Sequence, residues 1–176
     1  MPNCSRIGVP VLMVILASLP SSAQDFGTNP NPPPAVELTI GHAGFVDDTT
    51  IHGTVYGGAM RLYLSPRVSI GPELTYVHDP GGERSLFLTG NVSIDLLRSR
   101  GGRPERVVPF VVAGGGFFRH TDPIGAQEFS HVEAAVTGGA GARIWLGKRI
   151  YAAAEGRIGW EPHIRITGTI GVELAK

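Results

Sequence analysis

The side chains of this chain that could do chemistry are charged residues of both signs, spaced through otherwise apolar segments. Glu37, Arg61, Glu73, Asp95, Arg143, Glu155, Arg157, Arg165 and Glu173 each occupy a polar position in a stretch where every second residue is mainly apolar. If one enclosed space receives them all they must pair, because an unpaired buried charge costs about 3–5 kcal/mol. Such a set would form a static plug of ion pairs.

The remaining candidates are weaker. His42, His52, His78, His120, His131 and His163 show no metal-ligand spacing; "HTD" at His120 to Asp122 makes at most a loose site with His131, and no metal is expected. "AGGG" at Ala113 to Gly116 and "GGAGAR" at Gly138 to Arg143 look like phosphate-binding loops. Such a loop must feed a helix, and no helix follows either stretch, so both read as bends or as room for a bulky neighbour. "FSH" at Phe129 to His131 is the nearest approach to a serine–histidine pair and lies in a segment read as a loop, so neither a catalytic residue nor a cofactor is expected. "RSRGGRPER" gathers Arg98, Arg100, Arg103 and Arg106. Guanidinium forks suit anionic lipid headgroups or an acidic periplasmic partner, and equally a plain solvated turn.

The elements that must position these groups are strands. In "RVSIGPELTYVHD", Arg67 to Asp79, apolar Val68, Ile70, Leu74 and Tyr76 alternate with Ser69, Gly71, Glu73 and Thr75, a period of two. Eight such segments follow one another: Ala35 to Phe45, His52 to Leu64, Arg67 to Val77, Ser85 to Leu97, Val107 to Arg119, Val132 to Leu146, Ile150 to Trp160 and His163 to Leu174. Turn signals such as "DDTT", "SP", "DPGGE", "DPIGAQ" and "GK" separate them. The fifth segment is apolar on both faces, so its parity stays open. Connections after the first, third and fifth segments are longer and those after the second and sixth are tight, the rhythm of an up-and-down membrane barrel. "RSRGGRPER" after the fourth and "EPH" after the seventh break that rhythm.

Composition decides which face meets water. Only 17% of the residues are charged, and just two are lysine, Lys148 and Lys176, whereas a soluble surface carries about 25–35%. The polar faces hold mostly Gly, Ser, Thr and Asn with an occasional Arg or Glu, which suits a cramped interior better than a solvated exterior. The oily faces therefore point outward into lipid, with the nine charges inside and Tyr76, Phe117 and Trp160 as an interfacial aromatic girdle at the outer ends. A net charge of zero offers no field for nucleic acid. The start, "MPNCSRIGVPVLMVILASLPSSAQ", reads as a secretory signal peptide over residues 1–23, followed by a proline-rich leader, 24–34, and a barrel domain, 35–176. The sole cysteine, Cys4, lies in the expected signal, so the mature chain would hold no disulfide.

Together with that signal, "LSPRVSIGPELTYV", "VVPFVVAGGGFFR" and the closing "RITGTIGVEL" make the chain, from Ala35 onward, resemble the small eight-stranded outer-membrane barrels, the OmpA-like and OmpX-like family of Gram-negative bacteria. The resemblance implies a monomeric, all-β, closed up-and-down antiparallel transmembrane barrel with a plugged lumen and no enzymatic activity. Its partners would be outer-membrane lipid and, during biogenesis, the barrel-assembly machinery. Family members commonly end in an aromatic residue that this machinery reads; here the ending is "VELAK". The role implied is structural, or surface interaction through loops 46–51, 78–84 and 120–131, with a narrow gated ion path as a variant. The contrasting reading is a secreted soluble barrel that binds a small apolar ligand.

Overall fold

Stretches such as "VSIGPELTYVH" and "HIRITGTIGVE" are rich in β-branched and aromatic residues and alternate in polarity, so an extended backbone sends their oily and polar side chains to opposite faces. The computed structural model describes residues 31–45, 51–80, 84–97, 106–124, 127–160 and 163–174. It carries eight strands: β1 (Ala35–Phe45), β2 (Ile51–Tyr63), β3 (Val68–His78), β4 (Arg84–Asp95), β5 (Val107–Ile124), β6 (Gln127–Trp145), β7 (Ile150–Gly159) and β8 (His163–Glu173). Each pairs antiparallel with the next, and β8 returns to β1 in register from Ala35↔Glu173 to Phe45↔His163, closing the barrel. The expected signal peptide and most of the leader lie outside the described residues.

Chain entry and exit share one end. Leu174 N–H donates to Pro34 O at 2.7 Å. Two tight turns lie at the same end: Leu64 and Ser65 N–H groups donate to Val68 O, and those of Leu146 and Gly147 donate to Ile150 O. Ser65 Oγ accepts from Val68 N–H at 3.1 Å, a local hydroxyl turn that explains why "SP" stops β2. Prolines fall where the ladder has a gap to spare. Pro72 pairs with Gly90 of β4, while on its other side the β2–β3 ladder skips from Ala59↔Glu73 to Leu62↔Ile70.

The exterior is apolar and the interior polar. Leu38, Ile158 and Ile166 are about two-thirds exposed or more (71%, 65% and 67%), whereas Arg143, Glu73 and Arg165 are 1%, 7% and 7% exposed. A water-soluble barrel requires the reverse. Strands of ten or more residues, tilted, span an apolar band about 25 Å tall, and closure satisfies the backbone groups that hydrocarbon could not. The fold is therefore a closed transmembrane β-barrel of eight strands. β5 now has a parity: Val108, Phe110, Val112 and Phe118 are buried, while Val107, Val111 and Phe117 face out.

Two expectations need correction. The segment 120–131 is mostly strand: β5 and β6 pair continuously to Ile124↔Gln127, past the turn signal "DP", and residues 125–126 lie outside the described residues. Asp122 and Pro123 thus lie in the β5–β6 ladder, opposite Phe129 and Glu128. "FSH" is accordingly strand. Phe117, expected near a strand end, lies well inside β5. Residues 78 and 84 close β3 and open β4, Ile51 begins β2, and 46–50 and 81–83 lie outside the described residues.

Candidate functional site: the lumen

Inward side chains stack in levels from the entry end to the far end. At the entry end Asp95, the last residue of β4, accepts from Arg143 Nη1 of β6 at 3.0 Å. The Arg143 guanidinium lies over the Phe110 ring at 4.8 Å and the Tyr151 ring at 5.2 Å. Its Nε and Nη2 have no acceptor among the described residues, and the two aromatic faces take that place. Trp145 closes edge-on against Tyr151, with centroids 5.0 Å apart. Glu173 sits at this rim, half-buried, and has an interaction of its own.

One level up, Glu37 of β1 collects three donors on Oε1: Arg61 Nε at 3.0 Å, Arg61 Nη2 at 2.9 Å and the Tyr151 hydroxyl at 2.6 Å. Arg61 Nη1 also donates to Ser69 Oγ at 3.0 Å. The carboxylate and guanidinium thus neutralise each other while polar neighbours satisfy the remaining valences, the condition under which burying an ion pair is tolerable.

The centre of the lumen is a four-charge knot. Glu73 of β3 meets Arg165 Nη2 of β8 at 2.5 Å through Oε1 and Arg157 Nη2 of β7 at 2.9 Å through Oε2. Arg157 also holds Glu155 through Nε, and Arg165 Nη2 lies 4.0 Å from the same Glu155 carboxylate. Thr75 donates to Glu73 at 2.8 Å and accepts from Arg165 at 3.0 Å; Asn91 donates to Glu73 at 2.6 Å and accepts from Arg157 at 3.1 Å. Two acids and two bases cancel here. Cavities of about 20 Å³ beside the knot have room for about one water each.

Toward the far end the lumen turns apolar. Ala43, Val55, Val77, Phe87, Phe118 and Ala135 form one buried cluster. Phe87 and Phe118 stack at 5.2 Å, and His163 tilts against Phe87 at 5.5 Å. Beyond them, at the far mouth, Ser85 Oγ and His120 Nδ1 share a hydrogen bond of 2.8 Å, His120 and His131 rings lie 5.5 Å apart, and His131 Nε2 is 3.3 Å from Glu133 Oε1. Ser85 is only 3% exposed, and its hydroxyl orients the His120 ring.

Glycines make the room. A Cβ on Gly171 would run into the Tyr151 ring, and one on Gly141 would lie 2.7 Å from Phe110 Cζ. Gly171 and Gly141 thus leave space for lumen side chains.

The nine charges expected inside all lie on the lumen side, in the groups just described. Tyr76 and Trp160 are exposed on the exterior, 37% and 75%, as is Phe117 at 55%. Missed in the sequence were the neutral partners Tyr151, Ser69, Thr75 and Asn91, and the apolar cluster. For the cluster a signal existed: Phe87 falls on the polar face of its segment, and Val77 shares parity with Glu73.

No protein-family model and no curated protein matches this sequence. Solved structures do. Neisserial surface protein A superposes with a TM-score of 0.70 at 10% identity, covering 80% of this chain and 97% of that one. The N-terminal β-barrel domain of Pseudomonas aeruginosa OprF gives 0.62 at 15% identity, covering 80% and 97%. Ail, the attachment invasion locus protein of Yersinia pestis, gives 0.56 at 10% identity, covering 81% and 97%. With strands, closure and an outward oily face all in common, this chain has the fold of the small eight-stranded outer-membrane barrels.

Proposed function

We propose that the protein is a monomeric, integral outer-membrane barrel of a Gram-negative bacterium, exported by its signal peptide, with a closed lumen and no catalytic role. Its work is structural or lies in surface contacts made at the far end, outside the cell. The carrying observation is the inverted distribution of polarity: Leu38 and Ile166 on the circumference, Glu73 and Arg165 enclosed. Lipid at the exterior and the assembly machinery during insertion are the partners this requires. Attachment, in the name of the Yersinia pestis protein, is the kind of contact an outer loop cluster would make. Fractionation tests the reading: recovery from outer membranes only with detergent, and a gel mobility that shifts on heating, are expected. A detergent-free soluble monomer would overturn it.

The arrangement at Glu73 supports a second reading. That carboxylate is shared by two arginines, and Arg165 already lies 4.0 Å from the alternative acceptor Glu155. Exchange of Arg165 from Glu73 to Glu155 would make the knot a gate. Planar-bilayer recording of Arg157→Ala decides: open events above the wild-type trace favour a gate, and an unchanged closed trace favours a static plug.

A further inference from the structure

At the rim of the entry end we infer a docking surface for anionic phospholipid headgroups, built from Arg67, Arg106, Lys148 and Arg149. The surface rests on the membrane reading proposed above and specifies which lipid the barrel holds and where. All four side chains are exposed. Arg61, Arg143, Arg157 and Arg165 each meet a carboxylate inside the lumen. Among the described residues no ion pair engages the four at the rim. Their counter-charge has to come from outside the chain.

The ends of the ladder fix where these cations stand. Arg67, Arg106 and Arg149 immediately precede β3, β5 and β7. Each offers its carbonyl to the last residue of the neighbouring strand: Asp95 N–H of β4 at 2.8 Å, Trp145 N–H of β6 at 3.0 Å and Glu173 N–H of β8 at 2.8 Å. The three arginines therefore recur at every second strand, about 10 Å from one to the next. That is about one Debye length, so their mutual repulsion is mild. Lys148 lies in the tight turn beside Arg149. The acids nearest this rim, Asp95 and Glu173, are on the lumen side, which leaves the outside of the rim positive.

The apolar wall ends at the same level. Leu64, Leu97, Val107, Leu146 and Ile150 are exposed here, and among the described residues no exposed aromatic accompanies them, whereas Tyr76 and Trp160 are exposed toward the far end. Rings mark one interface and cations the other. Cations just beyond an apolar wall meet the phosphates of the leaflet, and the guanidinium fork matches phosphate oxygens. A zwitterionic headgroup carries an ammonium that these four would repel; phosphatidylglycerol carries none. The edge of the wall also favours lipid over an acidic protein, because only a lipid brings an acyl chain and a phosphate together.

The test is native mass spectrometry of the chain folded in micelles that hold equal amounts of phosphatidylglycerol and phosphatidylcholine with identical acyl chains. The wild type should retain phosphatidylglycerol in preference by at least about fivefold, the factor one cation beside an anionic surface supplies. Combining Arg67→Gln, Arg106→Gln, Lys148→Gln and Arg149→Gln should abolish the preference. Arg119→Gln, which removes an exposed cation toward the far end, should keep it. If the quadruple variant loses its heat-shifted mobility and so fails to fold, Arg67→Gln and Arg149→Gln singly replace it, each lowering the preference. Equal retention of both lipids by the wild type, a preference that survives these variants, or one that disappears in Arg119→Gln overturns the surface. Polyglutamate that displaces phosphatidylglycerol from the wild type overturns it in favour of an acidic protein partner. A wild type that folds in micelles and retains both lipids equally loses this surface alone; one that is soluble without detergent loses the membrane reading as well.

Discussion

The two halves of the lumen solve one packing problem with different chemistry. Near the centre and the entry end, space is filled by Glu37, Glu73, Asp95, Glu155 and four arginines, each charge matched within hydrogen-bond reach. Toward the far end it is filled by Phe87, Phe118, Val55 and Val77, with no charge in the cluster. Ion pairs need fixed partners and so bind particular strands across the lumen: Glu73 and Arg165 join β3 to β8, and Glu37 and Tyr151 join β1 to β7. Aromatic stacking has no such demand; it excludes water and ions by filling volume. The charged half therefore ties particular strands together across the lumen, and the apolar half fills the far end by volume.

The sharpest way to break this division is to remove the central carboxylate. Glu73→Ala leaves Arg157 and Arg165 with Glu155 alone between them, an excess positive charge in the interior. The expected loss is about 3–5 kcal/mol, read from urea unfolding in detergent micelles. A loss below about 1 kcal/mol would mean that water already screens the knot, and that partner choice there is not set by charge.

The apolar half should respond to volume and not to charge. Phe87→Ala removes one ring of the 5.2 Å stack with Phe118, at an expected cost of about 3 kcal/mol. If this half is the seal, Phe87→Ala should also raise single-channel conductance, whereas Phe87→Leu, which keeps most of the volume, should stay closed. Conductance unchanged in Phe87→Ala would assign the seal to the charged half.

How much of this was legible in the sequence follows from the same division. Alternation alone placed the charges on one face, because parity is a local property: Arg165 must lie opposite Ile164 and Ile166 whatever the rest of the chain does. It also delimited β1, where turn chemistry and strand end coincide. It misjudged β5 and β6, because Asp122, Pro123 and Gly125 are turn formers, yet Asp122 and Pro123 lie in the β5–β6 ladder opposite Phe129 and Glu128. Partners across the lumen were out of reach. That Glu73 meets Arg165, and Tyr151 meets Glu37, depends on the stagger with which eight strands close, which no single segment encodes. That His120 and His131, weighed in the sequence only as a loose site, stand directly opposite each other likewise waited on the β5–β6 pairing.

Smaller changes sharpen the account of the charged half. Tyr151→Phe deletes the 2.6 Å hydrogen bond to Glu37 but keeps the ring against Arg143, so it isolates one charge-assisted bond from the aromatic packing. The expected loss is about 1.5–3 kcal/mol, and the heat-shifted mobility should persist. A loss as large as that of Glu73→Ala would show that the hydroxyl organises the entire entry-end level.

The smallest effect belongs to Ser69→Ala. Its hydroxyl accepts from Arg61 Nη1 at 3.0 Å, yet Arg61 keeps both bonds to Glu37 without it. One donor N–H of an already paired guanidinium is then left to the adjacent cavity of about 20 Å³, where a water can replace the lost oxygen. The expected cost is therefore about 1 kcal/mol or less by the same unfolding assay. If it approached the cost of losing Tyr151's hydroxyl, the cavity would have to be dry, and the charged half would exclude water as completely as the aromatic half does.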